Sequence, residues 1–459
     1  MFTSRIRFGT DGWRSRMDVD FNVANVRRLS LAVGSYLKDK GELGSILVGY
    51  DTRRNSEAFA SNVADVLGGL GFKVFMTSRP TPTPVIAFSV VDRKASAAVQ
   101  ITASHNPPVY NGFKFIPSYG GPAFPEITVE IEKRLPEHDV DVRGQPPVVF
   151  DPKERYFEFL ESKVDLSVAR DMRIVVDPLY GAGFGYLAEL LKRRGARVTE
   201  IHGSPDPDFG GLSPEPNEAN TKQLAEFVVK SGADMGVAND GDADRFSAVD
   251  DKGNFYPSNK LVLIIADYLF GVKNIRGRVA RSVSTTSALD RLCSAYGVQV
   301  VETPVGFKYI AKELMSGAVL GAEESGGLGF GWSVPEKDGI MSGALLCEAI
   351  GRMGGSLREV WRRIADKYGF NQYLQFNLPL REEVRRKIDE LRASPPDVFA
   401  GMQVTRKITI DGLKLQFASG SWILLRPSGT EPLIRVYIEA VDQSELNSLK
   451  EAADSLLKS

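Results

Sequence analysis

The chain has 459 residues, a formal net charge of −1, and a composition in which 43% of the residues are hydrophobic and 25% are charged. At about 150 residues per domain, this length predicts roughly three domains. The composition is that of a folded globular protein, because a disordered chain is poorer in apolar residues and a dedicated nucleic-acid binder carries a basic excess.

The cellular compartment is predicted from cysteine use and from apolar segments. Two cysteines, Cys293 and Cys347, are too few for a disulfide framework in a chain of this length. Residues 1–10 lack the apolar core of a signal peptide. The most apolar stretch, 261–270, is too short to cross a bilayer and contains Asp267. We therefore expect a soluble, cytoplasmic monomer or homodimer with no nucleic-acid or membrane partner.

Strand patterns alternate with helical patterns up to about residue 368, and this alternation restarts twice. The predicted strands are 45–50, 72–76, 97–101, 173–177, 197–201, 234–238, 278–281, 298–302 and 318–321. The predicted helices are 57–70, 126–135, one within 181–195, 220–230, 261–270, 287–296, 307–315 and those within 341–368. Strands separated by helices imply mostly parallel sheets with right-handed crossovers.

The pattern changes after residue 368. Strands are predicted at 371–377, 402–410, 413–417, 421–425 and 434–439, with helices at 381–392 and 444–457. Such strand runs bracketed by helices are typical of an α+β domain with an antiparallel sheet. With a polar linker at 141–147, the sequence predicts three α/β domains with mixed, mostly parallel sheets, followed by one α+β domain. The predicted bounds are 1–145, 146–250, 251–368 and 369–459, one domain more than the length suggests.

A hydroxyl and an imidazole follow the strand 97–101 directly, in the segment 102–107 (TASHNP). Ligands bind at the carboxyl ends of strands in open α/β sheets. Ser104, with His105 beside it, can therefore be a nucleophile or a phosphate carrier. The alternative is a plain polar turn, since Ser, Asn and Pro are ordinary turn residues.

Three carboxylates, Asp240, Asp242 and Asp244, follow the strand 234–238 at alternating positions and precede Arg245. Clustered carboxylates repel one another, and a divalent cation is the natural compensator. An EF-hand needs Gly at the sixth and Glu at the twelfth loop position, where this chain has Arg245 and Asp251. A metal site is thus favoured over the alternative, a solvated acidic turn.

A third loop, 321–327 (GAEESGG), follows the strand 318–321. Its carboxylates and its hydroxyl, on a backbone made flexible by glycine, suit hydrogen bonding to a polyol. From this segment alone, an ordinary glycine-rich loop is equally compatible.

A fourth loop, 426–432 (RPSGTEP), is followed by Arg435. Arginine binds phosphate through a bidentate fork, and the hydroxyls of Ser428 and Thr430 with the backbone around Gly429 can form an anion nest. The alternative is a hairpin connection rich in turn residues.

In this order, the four motifs resemble those of the α-D-phosphohexomutase superfamily, which comprises phosphoglucomutases, phosphomannomutases and phosphoglucosamine mutases. The segments 8–14 (FGTDGWR), 111–114 (NGFK) and 303–308 (TPVGFK) add to the resemblance, which covers nearly the whole chain. It implies three α/β domains and one α+β domain arranged around a central cleft, in agreement with the count from the strand and helix pattern.

The resemblance also implies roles for individual residues. The implied catalytic residues are Ser104, His105, Lys114, Arg14 and Arg245. The implied metal ligands are Asp240, Asp242, Asp244 and Ser104, the last as phosphoserine. The implied substrate-binding residues are Gly306, Lys308, Glu323, Ser325, Arg426, Ser428, Gly429, Thr430 and Arg435.

The implied reaction interconverts a hexose 1-phosphate and a hexose 6-phosphate through phosphoserine and a hexose 1,6-bisphosphate. Mg²⁺ would be the cofactor and glucose 1,6-bisphosphate the primer. Glucosamine-type members usually have Gln and then His near the positions of Glu324 and Gly327, and bifunctional members often have His at the latter position. The Glu-Glu-Ser pattern at 323–325, with Phe307 and Lys308 in the preceding loop, looks more like that of members that prefer glucose, and mannose is also expected.

Three other functions stay open from the sequence. Phosphoglucosamine mutase uses the same scaffold. Asp240 after an apolar strand also resembles the nucleophile of an aspartyl-phosphate phosphatase, although residue 244 is not the Thr expected there. A non-catalytic sugar-phosphate sensor would need a degraded serine or metal loop, and both loops look intact.

Overall fold

A computed structural model describes residues 6–9, 11–138, 141–428 and 433–456, and the strands within these ranges form four separate β-sheets. Consecutive parts of the chain build these sheets in turn, so we name the units domains 1 to 4. No helix in the described ranges is long and apolar enough to cross a membrane. Cys293 and Cys347 are buried free thiols.

Domain 1 contains a six-stranded sheet and four helices. Its strands are β1 (Trp13–Arg16), β2 (Ile46–Tyr50), β3 (Val74–Thr77), β4 (Ala97–Ile101), β5 (Tyr110–Pro117) and β6 (Val148–Phe150). Its helices are α1 (Val23–Asp39), α2 (Ser56–Gly69), α3 (Thr83–Asp92) and α4 (Pro125–Glu132). The order is β1-β5-β4-β2-β3-β6, in which β4, β2, β3 and β6 are parallel and β5 and β1 are antiparallel to their neighbours.

Strand β6 lies beyond residue 145, the predicted end of the first domain. It pairs with β3, so the first sheet extends to Phe150. Val148 and Val149 are 48% and 66% exposed on this edge strand. The strand is therefore too short and too exposed to show the alternation that identifies a strand in a sequence.

Domain 2 contains a five-stranded sheet in the order β11-β10-β9-β7-β8. Its strands are β7 (Arg173–Asp177), β8 (Arg197–Glu200), β9 (Met235–Asn239), β10 (Phe246–Asp250) and β11 (Phe255–Tyr256). Its helices are α5 (Lys153–Lys163), α6 (Leu187–Arg193) and α7 (Lys222–Ser231). Strands β9, β7 and β8 are parallel to one another. The short strand β11 extends this sheet past residue 250, the predicted end of the second domain.

Domain 3 contains a four-stranded sheet in the order β13-β12-β14-β15, parallel except for β15. Its helices are α8 (Ser258–Gly271), α9 (Ala288–Ala295), α10 (Phe307–Met315), α11 (Gly339–Met353) and α12 (Leu357–Tyr368). Its strands are β12 (Arg278–Ser282), β13 (Val300–Thr303), β14 (Ala318–Ala322) and β15 (Leu328–Phe330).

Domain 4 contains a fully antiparallel sheet in the order β16-β21-β20-β19-β18-β17. Its strands are β16 (Gln372–Pro379), β17 (Val398–Phe399), β18 (Met402–Ile408), β19 (Leu413–Phe417), β20 (Trp422–Pro427) and β21 (Leu433–Ala440). Its helices are α13 (Glu382–Ala393) and α14 (Gln443–Ser455). Three mixed α/β sheets and one antiparallel α+β sheet confirm the predicted fold class.

Domains 2 and 3 share one hydrophobic core, built around helix α11. Residues of this helix from Gly339 to Ile350 are buried, and they pack in one cluster with domain 2 residues that include Tyr156 and Val237. Asp338 caps the helix by accepting from the Met341 amide at 2.8 Å, and it also accepts from the Tyr156 hydroxyl at 2.7 Å. This shared core fixes the position of domain 3 relative to the carboxylate loop of domain 2.

The four predicted motifs occupy the same topological position in their domains. Each lies between a strand and the antiparallel strand that follows it: β4 and β5, β9 and β10, β14 and β15, and β20 and β21. In the three α/β domains the motif thus follows the carboxyl end of a strand with a parallel neighbour, where ligands bind.

Candidate active site

Ser104 lies in the loop between β4 and β5, where it is 1% exposed and adopts the left-handed conformation with φ 50°. Its Oγ donates to Asp240 Oδ2 of domain 2 at 2.6 Å, and its amide donates to Thr102 Oγ1 at 2.9 Å. The Nδ1 atom of His105 lies 3.5 Å from the same hydroxyl. Positive φ is uncommon in residues other than glycine and concentrates at functional sites.

Asp240, Asp242 and Asp244 form a buried cluster in which one oxygen from each lies within 4.8 Å of the others. Burial, reinforced by Asp244 and Asp242, raises the pKa of Asp240 well above its usual range. Two buried oxygens, Asp242 Oδ1 and Asp244 Oδ1, have no hydrogen-bond partner among the described residues. Three carboxylates, two of which have an oxygen without a hydrogen-bond partner, form a hard donor set that fits a divalent cation such as Mg²⁺.

Two close backbone contacts bring the serine and carboxylate loops together. A Cβ atom on Gly241 would lie 2.6 Å from the Ser104 carbonyl oxygen, so only glycine fits there. Thr83, at the start of α3, donates from its amide to the Asp242 carbonyl at 3.0 Å and from its hydroxyl to Asp242 Oδ2 at 2.5 Å. Domain 1 therefore holds the domain 2 loop through both its backbone and its side chains.

Lys114 and Lys337 neutralise this acidic cluster. Lys114 Nζ lies 2.9 Å from Asp242 Oδ2, 2.9 Å from Asp244 Oδ2 and 2.8 Å from Asp11 Oδ2. Lys337 Nζ lies 3.2 Å from Asp11 Oδ2 and 3.3 Å from Asp244 Oδ2. Burial alone would lower the pKa of Lys114, but the three carboxylates outweigh it and raise that pKa well above its usual value.

The sequence interpretation missed Lys337. Its only signal was a charged run at 336–338, placed between the apolar residues Val334 and Ile340. All three charged side chains are buried, at 1% to 3% exposure. Buried charges of this kind need partners, and Lys337 has them in Asp11 of domain 1, Asp244 of domain 2 and the neighbouring Glu336.

Two predicted arginines extend the ring of positive groups and act on the predicted His105. Arg14 Nη1 donates to Asn106 Oδ1 at 2.8 Å, and the Arg245 amide donates to Asp240 Oδ1 at 3.0 Å. Burial and the nearby guanidinium groups of Arg245 and Arg14 hold the pKa of His105 well below its usual value. His105 is therefore neutral at pH 7 and able to accept a proton.

The glutamates of the third loop have different partners. Glu323 is 7% exposed and accepts from the Gly306 amide at 3.0 Å, and burial raises the pKa of Glu323 to about 7. Glu324 Oε2 instead accepts from the hydroxyls of Ser282 and Ser284 at 2.9 and 2.6 Å.

Ser325 lies half-buried at the tip of the third loop. A Cβ atom on Gly327 would lie 2.4 Å from Lys337 Cδ. Lys337 thus fills the space that a side chain at position 327 would need.

Domain 4 contacts the 303–308 segment of domain 3 through a shared carboxylate. Asp411 Oδ2 accepts from Arg426 Nε at 2.7 Å and from the Val305 amide at 3.0 Å. Arg435 stands opposite Arg426 in the pairing of β20 with β21. Lys308 belongs to the same 303–308 segment of domain 3. Burial and, to a smaller extent, the charge of Arg426 lower the pKa of its ammonium, although Asp11 opposes this shift.

The predicted phosphate loop is only partly described. The Ser428 amide donates to the Leu433 carbonyl at 2.8 Å. Gly429 and Thr430 lie outside the described residues, so their predicted roles stay predictions.

A buried serine hydroxyl thus faces a carboxylate cluster, with two lysines and two arginines around it. Phosphoryl transfer depends on positioning and on charge neutralisation more than on covalent help from the protein. The fold and the site therefore define a four-domain phosphoryl-transfer enzyme.

Comparison with known families gives the class. The chain matches the phosphoglucomutase/phosphomannomutase models for alpha/beta/alpha domain I at 5–140, domain II at 154–253 and domain III at 257–368, and the model for the C-terminal domain at 383–456. The chain therefore belongs to the phosphoglucomutase/phosphomannomutase family, within the α-D-phosphohexomutase superfamily. It is a mutase, an intramolecular phosphotransferase, as the sequence predicted.

Individual relatives have different names within this superfamily. A Pyrococcus abyssi protein named probable phosphoglucosamine mutase is 34% identical, over 98% of this chain and 97% of that protein. A Thermococcus kodakarensis phosphoglucomutase/phosphomannomutase is 31% identical, over 98% of each chain. The crystal structure of a putative phosphomannomutase from Thermus thermophilus aligns with a TM-score of 0.89 and 33% identity, covering 100% of both chains.

Proposed function

We propose that this mutase interconverts hexose 1-phosphate and hexose 6-phosphate, with glucose and/or mannose as the sugar and Ser104 as the phosphoryl carrier. The observation that carries the proposal is the 2.6 Å contact between Ser104 Oγ and Asp240 Oδ2 inside a buried carboxylate cluster. A serine that only shaped a turn would need neither a strained backbone conformation nor a position beside three carboxylates.

The metal assignment rests on charge balance and on the unpartnered oxygens. Asp240, Asp242 and Asp244 would hold Mg²⁺, with phosphorylated Ser104 as a further ligand. When bound, Mg²⁺ would supply positive charge to stabilise the phosphoryl group in transfer. Asp242 and Asp244 each have one buried oxygen that accepts no hydrogen bond from the described residues, and this favours the assignment over a role for the three acids as ion-pair partners alone.

The chain's own residues account for the transfer step. The bond between phosphorus and Ser104 Oγ breaks as the hydroxyl oxygen of the bound hexose phosphate bonds to phosphorus, which gives a 1,6-bisphosphate. The proton of that hydroxyl passes to the leaving Ser104 Oγ, and His105, as a neutral imidazole 3.5 Å from Oγ, would carry it. Lys114 would keep its positive charge, together with Arg14 and Arg245, and stabilise the developing negative charge.

The second half-reaction requires the bisphosphate to turn round and return its other phosphate to Ser104. The far phosphate must then be held in either orientation, which suits the arginines of domain 4. Glu323 and Ser325 would bind sugar hydroxyls, next to Gly306 and Lys308. The phosphate contacts would come from Arg426, Ser428, Gly429, Thr430 and Arg435. Loss of the bisphosphate would leave Ser104 unphosphorylated, so glucose 1,6-bisphosphate would act as primer.

The proposed sugar preference rests on the Glu-Glu-Ser pattern at 323–325, which looks like that of members that prefer glucose. Lys337 lies beside Gly327, and the contact that a histidine at this position makes in other members is absent. The second candidate, phosphoglucosamine mutase, is favoured by the names of relatives at 31% to 34% identity. We infer that the reaction takes place in the cytoplasm, as the composition predicts. We also infer that the protein is a monomer or a homodimer.

A coupled assay tests this function. The 1-phosphates of glucose, mannose, glucosamine and N-acetylglucosamine would each be offered with Mg²⁺ and glucose 1,6-bisphosphate. The expected result is turnover of the glucose and mannose compounds, which Ser104→Ala abolishes and Ser61→Ala, an exposed serine of domain 1, does not. Preference for glucosamine 1-phosphate would instead support the second candidate, and phosphate release without isomerisation would support a phosphatase.

A further inference from the structure

Arg53 follows β2 of domain 1 and lies beneath the serine loop, with only 3% of its surface exposed. Each nitrogen of its guanidinium group donates to oxygen atoms nearby. Nε donates to Asp51 Oδ2 at 3.1 Å. Nη1 donates to the carbonyls of Pro107 and Tyr110 at 2.8 and 3.1 Å. Nη2 donates to the carbonyls of Ser104 and Asn106, each at 2.6 Å.

This set of contacts uses the full donor capacity of arginine. A guanidinium has five N–H donors in a rigid planar fork, whereas an ammonium has three donors on a single nitrogen. Four of the five acceptors are backbone carbonyls in the segment 104–110, so the group fixes the path of the loop itself. The left-handed backbone of Ser104 needs such support, because a residue in this conformation persists only where its surroundings hold it.

Arg53 is itself held from two sides. Asp51, its carboxylate partner, also accepts from the Ser56 hydroxyl and from the Thr102 hydroxyl, both at 2.7 Å. On the other side, the ring of Phe209 from domain 2 lies 4.9 Å from the guanidinium carbon. The end of β2, the serine loop and domain 2 therefore meet at one buried cation.

We propose that Arg53 is the positioning residue that keeps Ser104 oriented for phosphoryl transfer, both free and phosphorylated; this inference rests on the proposed function. The hydroxyl of Ser104 donates to Asp240 only while it carries a proton, so phosphorylation removes that bond. The contacts of Arg53 go to backbone carbonyls and do not depend on the Ser104 side chain. They can therefore hold the loop in the same place through both half-reactions.

Steady-state kinetics of Arg53→Lys and Arg53→Met give the first test. A displacement of about 1 Å at a reacting group costs about 100-fold in rate, so we expect kcat to fall by about that factor in both variants. The KM for the hexose 1-phosphate should change less than about twofold, because the proposed sugar and far-phosphate contacts lie in domains 3 and 4.

Arg54→Met is the matched control. Arg54 is the next residue, 58% exposed on its side chain, and pairs with Asp208 at 2.8 Å on the surface. Its replacement should leave kcat and KM unchanged. If the Arg53 variants match Arg54→Met in kcat, the inference is overturned while the proposed function stands.

Amide hydrogen exchange provides a readout independent of turnover. We expect faster exchange in the segment 102–110 of Arg53→Met, with unchanged exchange in β2 and β4. Equal exchange in wild type and variant would overturn the inference. A loss of kcat that disappears at temperatures where the variant is fully folded would also overturn it. If Arg53→Met does not fold, Arg53→Lys carries both measurements. If the wild-type protein turns over no hexose phosphate, the proposed function fails, and exchange alone decides whether Arg53 orders the loop.

Discussion

The hydroxyl of Ser104 and the carboxylate of Asp240 lie 2.6 Å apart, although 136 positions and a domain boundary separate them in the chain. Gly241 permits this approach, and Thr83 and Lys114 of domain 1 hold the domain 2 loop from the other side. The proposed phosphoryl carrier and the proposed metal ligands therefore belong to one interface. Changes that loosen the contact between domains 1 and 2 should reduce the reaction more than they reduce sugar binding.

The variant Asp240→Asn should show an effect on Mg²⁺ binding that is distinct from its effect on thermal stability. The Asp240 carboxylate accepts from the Ser104 hydroxyl and from the Arg245 amide, and an asparagine has only one oxygen to accept these bonds, so the variant should melt at a lower temperature than wild type without Mg²⁺. Wild type should gain about 2.7 kcal/mol at a Mg²⁺ concentration of about 100 times Kd, and the variant should lose this gain. Thermal melts with and without Mg²⁺ measure both effects. Asp208→Asn, on the surface of domain 2, is the control, and equal Mg²⁺ shifts in all three proteins would exclude a metal role for Asp240.

Lys337→Met should unfold more readily than wild type. The ammonium of Lys337 is 3% exposed and pairs with Asp11 and Asp244, so its removal leaves buried carboxylates less compensated. Breaking such a buried pair costs about 3 to 5 kcal/mol. Lys312→Met in α10, which breaks an exposed pair with Glu126 at 3.2 Å, should cost at most about 1 kcal/mol. Urea unfolding of both variants tests this, and equal losses would contradict it.

Asp411→Asn should weaken substrate binding with little change in kcat. The Asp411 carboxylate orients Arg426 and also holds Val305, so the neutral amide should leave the arginine less well placed for the far phosphate. A charged hydrogen bond contributes about 1.5 to 3 kcal/mol, which corresponds to a KM increase of about tenfold or more. Asp397→Asn, an 84% exposed aspartate of domain 4, is the control. An unchanged KM in Asp411→Asn would remove Arg426 from the proposed phosphate contacts.

Lys414, at the contact between domains 3 and 4, should make stability depend on pH. Its Nζ donates to the Val283 carbonyl at 2.7 Å and to Glu302 Oε1 at 3.0 Å. Burial, with Arg281 nearby, lowers the pKa of Lys414 from 10.5 to about 8. Between pH 8 and 10.5 the unfolded chain then binds more protons than the folded protein, so this group's contribution to the free energy of unfolding increases with pH in that window.

The Lys414 prediction is tested by melting wild type and Lys414→Met between about pH 7 and about pH 10. The slope for wild type should exceed that for the variant by at most about 1.4 kcal/mol per pH unit. Lys450→Met, on the exposed face of α14, should keep the wild-type slope. Parallel curves for wild type and Lys414→Met would show that the lysine keeps an ordinary pKa.

The sequence predicted the loops of the site better than it predicted the buried side chains that contact these loops. Ser104 and the three aspartates each follow a buried apolar strand, so their chemistry was visible in the local pattern. Arg53 and Lys337 owe their roles to partners in distant parts of the chain, and short motifs do not show such contacts. Helix α3 was missed for a different reason: eight of its ten residues are buried, so it lacks the polar face that identifies an amphipathic helix.

The location of the transferred phosphoryl group is the most direct test of Ser104 as the phosphoryl carrier. Wild type and Ser104→Ala would be incubated with Mg²⁺ and glucose 1,6-bisphosphate, and intact mass with peptide mapping would follow the protein. We expect one phosphoryl group on Ser104 of the wild type, discharged when a hexose 1-phosphate is added, and none on the variant. A phosphoryl group on another residue, or wild-type turnover by Ser104→Ala, would contradict this role.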